Sequence, residues 1–159
     1  MGYGRRGVVL DAMSLADIAR SIAAWNDANY LLQQRIVPRD LNGEPAYFRV
    51  FYAFGSIWCC WWNCFTDKYR VATGEEIAAF SLGALGEIVR QIAALTSMRF
   101  FSTEIAQADS GQFVVIDYVN DQCHMLSQSA DPQKGVPDDV VAAIAHRLVT
   151  AAANLAGAG

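Results

Sequence analysis

The sequence predicts an α+β domain, a mainly antiparallel sheet with helices packed on one face. Three observations carry that expectation. Two pairs of β-branched and aromatic runs are joined by short turns: residues 46–63 around Gly55-Ser56, and residues 100–119 around Ala108-Asp109-Ser110-Gly111. Apolar residues recur at helical spacing after Ser14, between Glu75 and Ser97, and after Pro137. The strand links are too short for parallel crossovers.

The elements follow in order. Residues 2–7 form a glycine-rich opening and residues 8–10 a short strand. Ser14 starts a helix, paired with Asp17 in the manner of a capping box, and Leu15, Ile18, Ala19 and Ile22 give its apolar stripe. Residues 30–37 are expected as a second strand, stopped by Pro38, and RDLNGEP (39–45) as a turn. The hairpin over 46–63 places Arg49 on the face of Phe51 and Ala53. Residues 68–71 supply a further strand. A helix over 75–97 buries Leu85, Ile88, Val89, Ile92 and Leu95. Strands over 100–106 and 113–119 come next. The last helix begins near Pro137, with Asp138 and Asp139 in its first turn and Val140, Ile144 and Leu148 toward the core. With no repeat or long linker, residues 1–159 read as one domain.

Composition narrows the functional classes. Hydrophobic residues are 53% of the chain and charged residues 18%, which excludes a disordered protein. A net charge of −4 without a basic patch argues against nucleic-acid binding. The opening residues lack the apolar core of a signal peptide, and the longest uncharged run, 50–66, is shorter than the roughly 20 residues a spanning helix needs. A cytoplasmic protein without a membrane segment is therefore expected. Cys59, Cys60, Cys64 and Cys123 are then reduced thiols, and their spacing is not that of a zinc site.

The chemistry-bearing residues concentrate between 99 and 121. Glu104 interrupts one apolar strand, and Asp117, Asn120 and Asp121 gather at the end of the next. Hard oxygen ligands on neighbouring strands suit Mg²⁺. GYGRRG (2–7) matches G-x-G-x-x-G but leads into a strand rather than a helix, so it is no dinucleotide fingerprint. It is either a lid whose backbone and Arg5/Arg6 cover phosphates or a basic terminus without that role.

Taken in order, GYGRRGV (2–8), YLLQQRIVPRD (30–40), YFRVFYAFG (47–55), FFSTEIA (100–106) and FVVIDYVND (113–121) resemble the C-terminal half of an ATP-grasp domain: lid, adenine hinge, arginine strand and two metal strands. The resemblance implies ATP and Mg²⁺ as cofactors and a carboxylate–amine ligase working through an acylphosphate. It implies Arg5 and Arg6 in the lid and Gln34, Ile36 and Val37 around adenine. Asp40 would take the ribose, Arg49 the transferred phosphoryl, and Glu104, Asp117 and Asn120 the Mg²⁺. Arg70 would help hold an anionic substrate. The family places its last acid and amide two residues apart, whereas Asp117 and Asn120 are three apart. A bulge or strand end near Tyr118 must bring them to one face, or Asp121 replaces one of them. The chain opens at the lid, so the resemblance implies a partial domain without the preceding domain and its strand lysine. An aromatic hairpin left uncovered in that way is a surface for self-association.

Plainer readings stand beside these. Glu104 and Asp117 are otherwise exposed strand acids, and Arg49 a structural ion-pair partner. Trp58, Trp61 and Trp62 serve sheet packing rather than base stacking. His124 and His146 are structural. The alternative to a ligase is a non-catalytic nucleotide-binding or scaffold module lacking its other half.

Overall fold

A computed structural model describes residues 12–25, 31–120, 123 and 125–157. The chain divides into two compact units, Met1–Arg35 and Ile36–Gly159. The glycine-rich opening, the strand expected at 8–10, Arg5, Arg6, Asp121 and His124 lie outside the described residues.

In the first unit, helix α1 runs from Leu15 to Trp25. Its start follows the sequence closely. The Asp17 N–H donates to the Ser14 hydroxyl at 3.2 Å, and the Asp17 carboxylate accepts from the Met13 N–H at 3.1 Å. Residues 31–39 form no strand, against expectation. Leu31, Leu32 and Val37 are exposed, and Gln33-Gln34-Arg35 breaks the alternation that a paired strand keeps.

The second unit opens with a small hairpin, β1 (Asp40–Leu41) against β2 (Glu44–Pro45), where only a turn was expected. Asn42 and Gly43 both take positive φ, and the Asp40 carboxylate accepts the Gly43 N–H at 2.8 Å. The main sheet comprises β3 (Tyr47–Ala53), β4 (Ser56–Trp62), β5 (Tyr69–Val71), β6 (Phe100–Gln107) and β7 (Phe113–Asn120). All its pairings are antiparallel, in the order β5-β4-β3-β6-β7. The β3–β4 turn is Phe54-Gly55, one residue earlier than expected. Both turn residues have positive φ (47° and 91°), as a primed two-residue turn demands.

Helices cover both faces of the sheet rather than one. Phe48 and Val50 pack with Leu85 and Val89 of α3 (Gly83–Thr96), whereas Phe51 and Ala53 pack with Val140 and Ile144 of α4 (Asp138–Ala156). Residues of opposite parity on one strand face opposite ways, so β3 is the buried centre of three layers. The helix expected over 75–97 is broken into α2 (Gly74–Ala79) and α3. Phe80 and Leu82 both pack into the α3-side core. In a continuous helix they would point about 200° apart, and a left-handed Ser81 resolves the conflict. Leu95, assigned to the core stripe, is exposed.

Helix α4 starts at Asp138 with Pro137 as its N-cap, near the expected position. By length and composition it is also apolar enough to cross a membrane, although Val140, Ile144 and Ala151 are buried against the rest of the unit. Arg147 interrupts its apolar stretch, so it is not the longest uncharged run of the chain.

Candidate functional site

The register of β3, β6 and β7 gathers most of the residues expected to carry chemistry. Arg49 pairs with Glu104, Glu104 with Asp117, and Ser102 with Asn120. Ser102 and Glu104 are two apart on β6, while their partners are three apart on β7. One extra β7 residue lies between Asp117 and Asn120. This is the bulge named as one way to reconcile the spacing, and it puts both register positions on the Arg49 face. The Thr103 hydroxyl ties the irregularity down by donating to the Asp117 carbonyl at 2.6 Å.

Arg49 and Glu104 are directly ion-paired through Nη1 and Oε1, with side chains only 7% and 15% exposed. Arg49 Nε also donates to the Ser102 hydroxyl at 3.0 Å. The second oxygen of Glu104 accepts from the Tyr47 hydroxyl at 3.0 Å. Aromatic rings enclose the pair. Tyr47 meets Trp62 edge-on at 5.3 Å, Trp62 stacks on Tyr69 at 6.0 Å, and the Arg49 guanidinium lies 5.7 Å from the Trp62 ring centre. Burial and the neighbouring carboxylate push the Tyr47 phenol well above its ordinary value, and burial pushes Tyr69 up to about 12. Both hydroxyls therefore stay protonated across the physiological range.

This arrangement does not fit a Mg²⁺ ion at Glu104. Both carboxylate oxygens already accept from Arg49 and Tyr47, and a dication there would stand against a guanidinium in a poorly solvated setting. Among the described residues no group of three or more His, Cys, Asp or Glu side chains is placed to hold a metal.

The remaining expected residues lie elsewhere. Gln34 belongs to the first unit and is exposed. Ile36 is half-buried, Val37 is exposed, and Asp40 is engaged in the β1–β2 turn. Arg70 sits on the opposite face, register partner of Trp61. Its guanidinium makes a two-pronged contact with Glu76 (2.7 and 2.9 Å), bonds Glu44 at 3.1 Å and lies 4.7 Å over the Trp61 ring. Glu76 also closes the capping box of α2 with Thr73. Arg70 is thus spent on joining β5, the β1–β2 hairpin and α2. Trp61 is buried in the core, in line with packing rather than base stacking, and His146 is exposed.

The Arg70 hydrogen bonds hold the Glu76 carboxyl down to about 2, against an ordinary value near 4.5. A depressed folded value stabilises the fold above the ordinary value and is lost as pH falls toward the folded one. Stability is therefore expected to fall between about pH 4.5 and 2. Solvent screening keeps the contribution on the order of 1 kcal/mol. Urea midpoints across that window should flatten in Glu76→Gln; an unaltered slope would show the Arg70–Glu76 contact to be energetically idle.

Tyr47 and Ser102 complete the Arg49–Glu104 cluster without having been singled out from the sequence. Their parity with Arg49 and Glu104 along β3 and β6 was the available signal. Burial pushes the Cys59 and Cys60 thiols up to about 12, so neither is a thiolate nucleophile at neutral pH.

Compared with known proteins, the chain matches no family model, no curated protein and no solved structure.

Proposed function

We propose that this chain is a non-catalytic binding or scaffold module rather than a working half of an ATP-dependent ligase. The observation that supports this reading is the closed Arg49–Glu104–Tyr47 cluster. The cation meant for a phosphoryl group and the carboxylate meant for a metal neutralise each other. A group that positions Mg-ATP must keep such charges available to the ligand. In this chain they join β3 to β6, which is structural work.

The ligase reading, carboxylate–amine ligation driven by Mg-ATP, has one observation in its favour. The β7 bulge brings the register positions of Asp117 and Asn120 to the Arg49 face. Calorimetry with ATP, with and without Mg²⁺, separates the two. A non-catalytic module shows no Mg²⁺-dependent ATP binding. Binding that requires Mg²⁺ and weakens at least about tenfold, 1.4 kcal/mol, in Asp117→Ala would overturn the proposal.

A further inference from the structure

A hollow of about 550 Å³ opens where the end of β3 and its turn, the second half of α3 with the stretch after it, and the middle of α4 meet. Tyr52, Phe54 and Met98 give it apolar walls, and Arg90, Arg99 and Arg147 give it charge. The chain carries a net charge of −4, yet no carboxylate lines this hollow. We propose that it is a binding site for an organic oxyanion, a phosphate ester or carboxylate carried on an apolar or aromatic body. The inference goes beyond the non-catalytic reading and does not depend on it.

The walls are bonded to one another, so the site is built rather than accidental. The Phe54 N–H donates to the Arg99 carbonyl at 2.7 Å, tying the hairpin turn to the segment after α3. Arg147 Nη2 donates to the Phe54 carbonyl, which fixes α4 to the same turn. Phe54 holds a left-handed φ of 47°, a conformation unusual for a bulky residue. The two hydrogen bonds hold it there, with Phe54 itself forming part of the hollow's lining.

Two of the three charges are uncommitted. Arg20, Arg49 and Arg70 are ion-paired, and Arg90 reaches Glu87 at 2.5 Å on the exposed flank of α3. Among the described residues, Arg99 and Arg147 pair with no carboxylate. Arg147 Nε is also buried without an acceptor. Buried donors are nearly always satisfied, and an orphan one beside an open hollow asks for an acceptor from outside the chain. Planar guanidinium forks suit phosphate and carboxylate oxygens, and the size falls within the roughly 300–1,000 Å³ of small-ligand sites. The hollow takes Tyr52 from the far end of β3, and neither Arg49 nor Glu104 lines it, so it is separate from the closed cluster.

The test is a heteronuclear NMR titration of the full chain with phenyl phosphate, benzoate and phenol, each to about 10 mM, where a millimolar site saturates. Phenyl phosphate and benzoate should move the amides of Phe54, Gly55, Ser97 and Arg99 saturably, and phenol should not. The tighter of the two anions identifies the source, phosphate or carboxylate. Arg90→Gln with Arg99→Gln should weaken anion binding at least about tenfold without changing the melting temperature, since both side chains are exposed. The proposal fails if neither anion moves those amides, if phenol binds as well as the anions, or if the double variant binds within about twofold of the parent.

Discussion

Replacing Arg49 with Met should cost about 3–5 kcal/mol of folding stability, because it leaves Glu104 charged, enclosed and without its counter-ion. Glu104 would then face Asp117 across the β6–β7 pairing, and the neutral Tyr47 hydroxyl does not replace the lost cation. Domains of this size are stable by roughly 5–15 kcal/mol, so the variant should be partly unfolded at ambient temperature or nearly so. The urea midpoint should drop with little change in slope. Removing both charges together, Arg49→Met with Glu104→Leu, should restore most of the loss, since apolar replacement of a buried pair is often neutral or better. A single variant within about 1 kcal/mol of the parent would mean that the pair is solvated and energetically weak. An Arg49 reserved for a ligand phosphate would behave in that second way.

Gly135→Ala should be the next most damaging change, at about 2–3 kcal/mol. A Cβ at this position would lie 2.4 Å from the Ser127 carbonyl oxygen and 2.6 Å from that of Asp131. Neither can retreat cheaply. The Ser127 oxygen already accepts from the Ala130 and Asp131 N–H groups, and the Asp131 oxygen accepts from Gly135 itself. The displaced segment would take Val136 out of the α4-side core and loosen the Gln128 side chain from the Tyr69 carbonyl on β5. Equilibrium unfolding should register the loss, and hydrogen exchange should localise it to residues 126–136. A change under about 0.5 kcal/mol would show that the two turns can separate at little cost.

What could be read in advance was local. The Ser14–Asp17 cap, both long hairpins, the start of α4 near Pro137 and the extra β7 residue near Tyr118 each follow from a few neighbouring residues. What could not be read depends on partners far along the chain. The two-sided covering of the sheet was signalled by the nearly unbroken apolar run of β3 around Arg49, but which helix takes which face is decided by tertiary packing. Residues 31–37 have strand composition, yet local preference alone does not create a hydrogen-bonded neighbour. At the candidate site, the sequence could place Glu104 and Asp117 on neighbouring strands and Arg49 on a strand of its own hairpin. It could not say that Arg49 and Glu104 would meet each other rather than a ligand, because that depends on β3–β6 pairing and on Tyr47 reaching across. The convergence of Arg90, Arg99 and Arg147 had no local signature, since they come from three elements spread over 58 positions.

The irregular β7 bears on how the molecule avoids its own kind. It is one of two outer strands of the sheet, and an outer strand offers unpaired backbone groups on which another chain can polymerise. The other, β5, is only three residues long, and Gln128 holds its Tyr69 carbonyl. β7 is eight residues long and has no such cover from Gln128, but its two register shifts leave only Phe113 to Val115 as an unbroken paired run. A flat incoming strand could match that short run and would then lose step before Asp117. The register shift between Val115 and Asp117, next to the bulge that aligns Asp117 and Asn120, thus works as a guard against fibre-like growth.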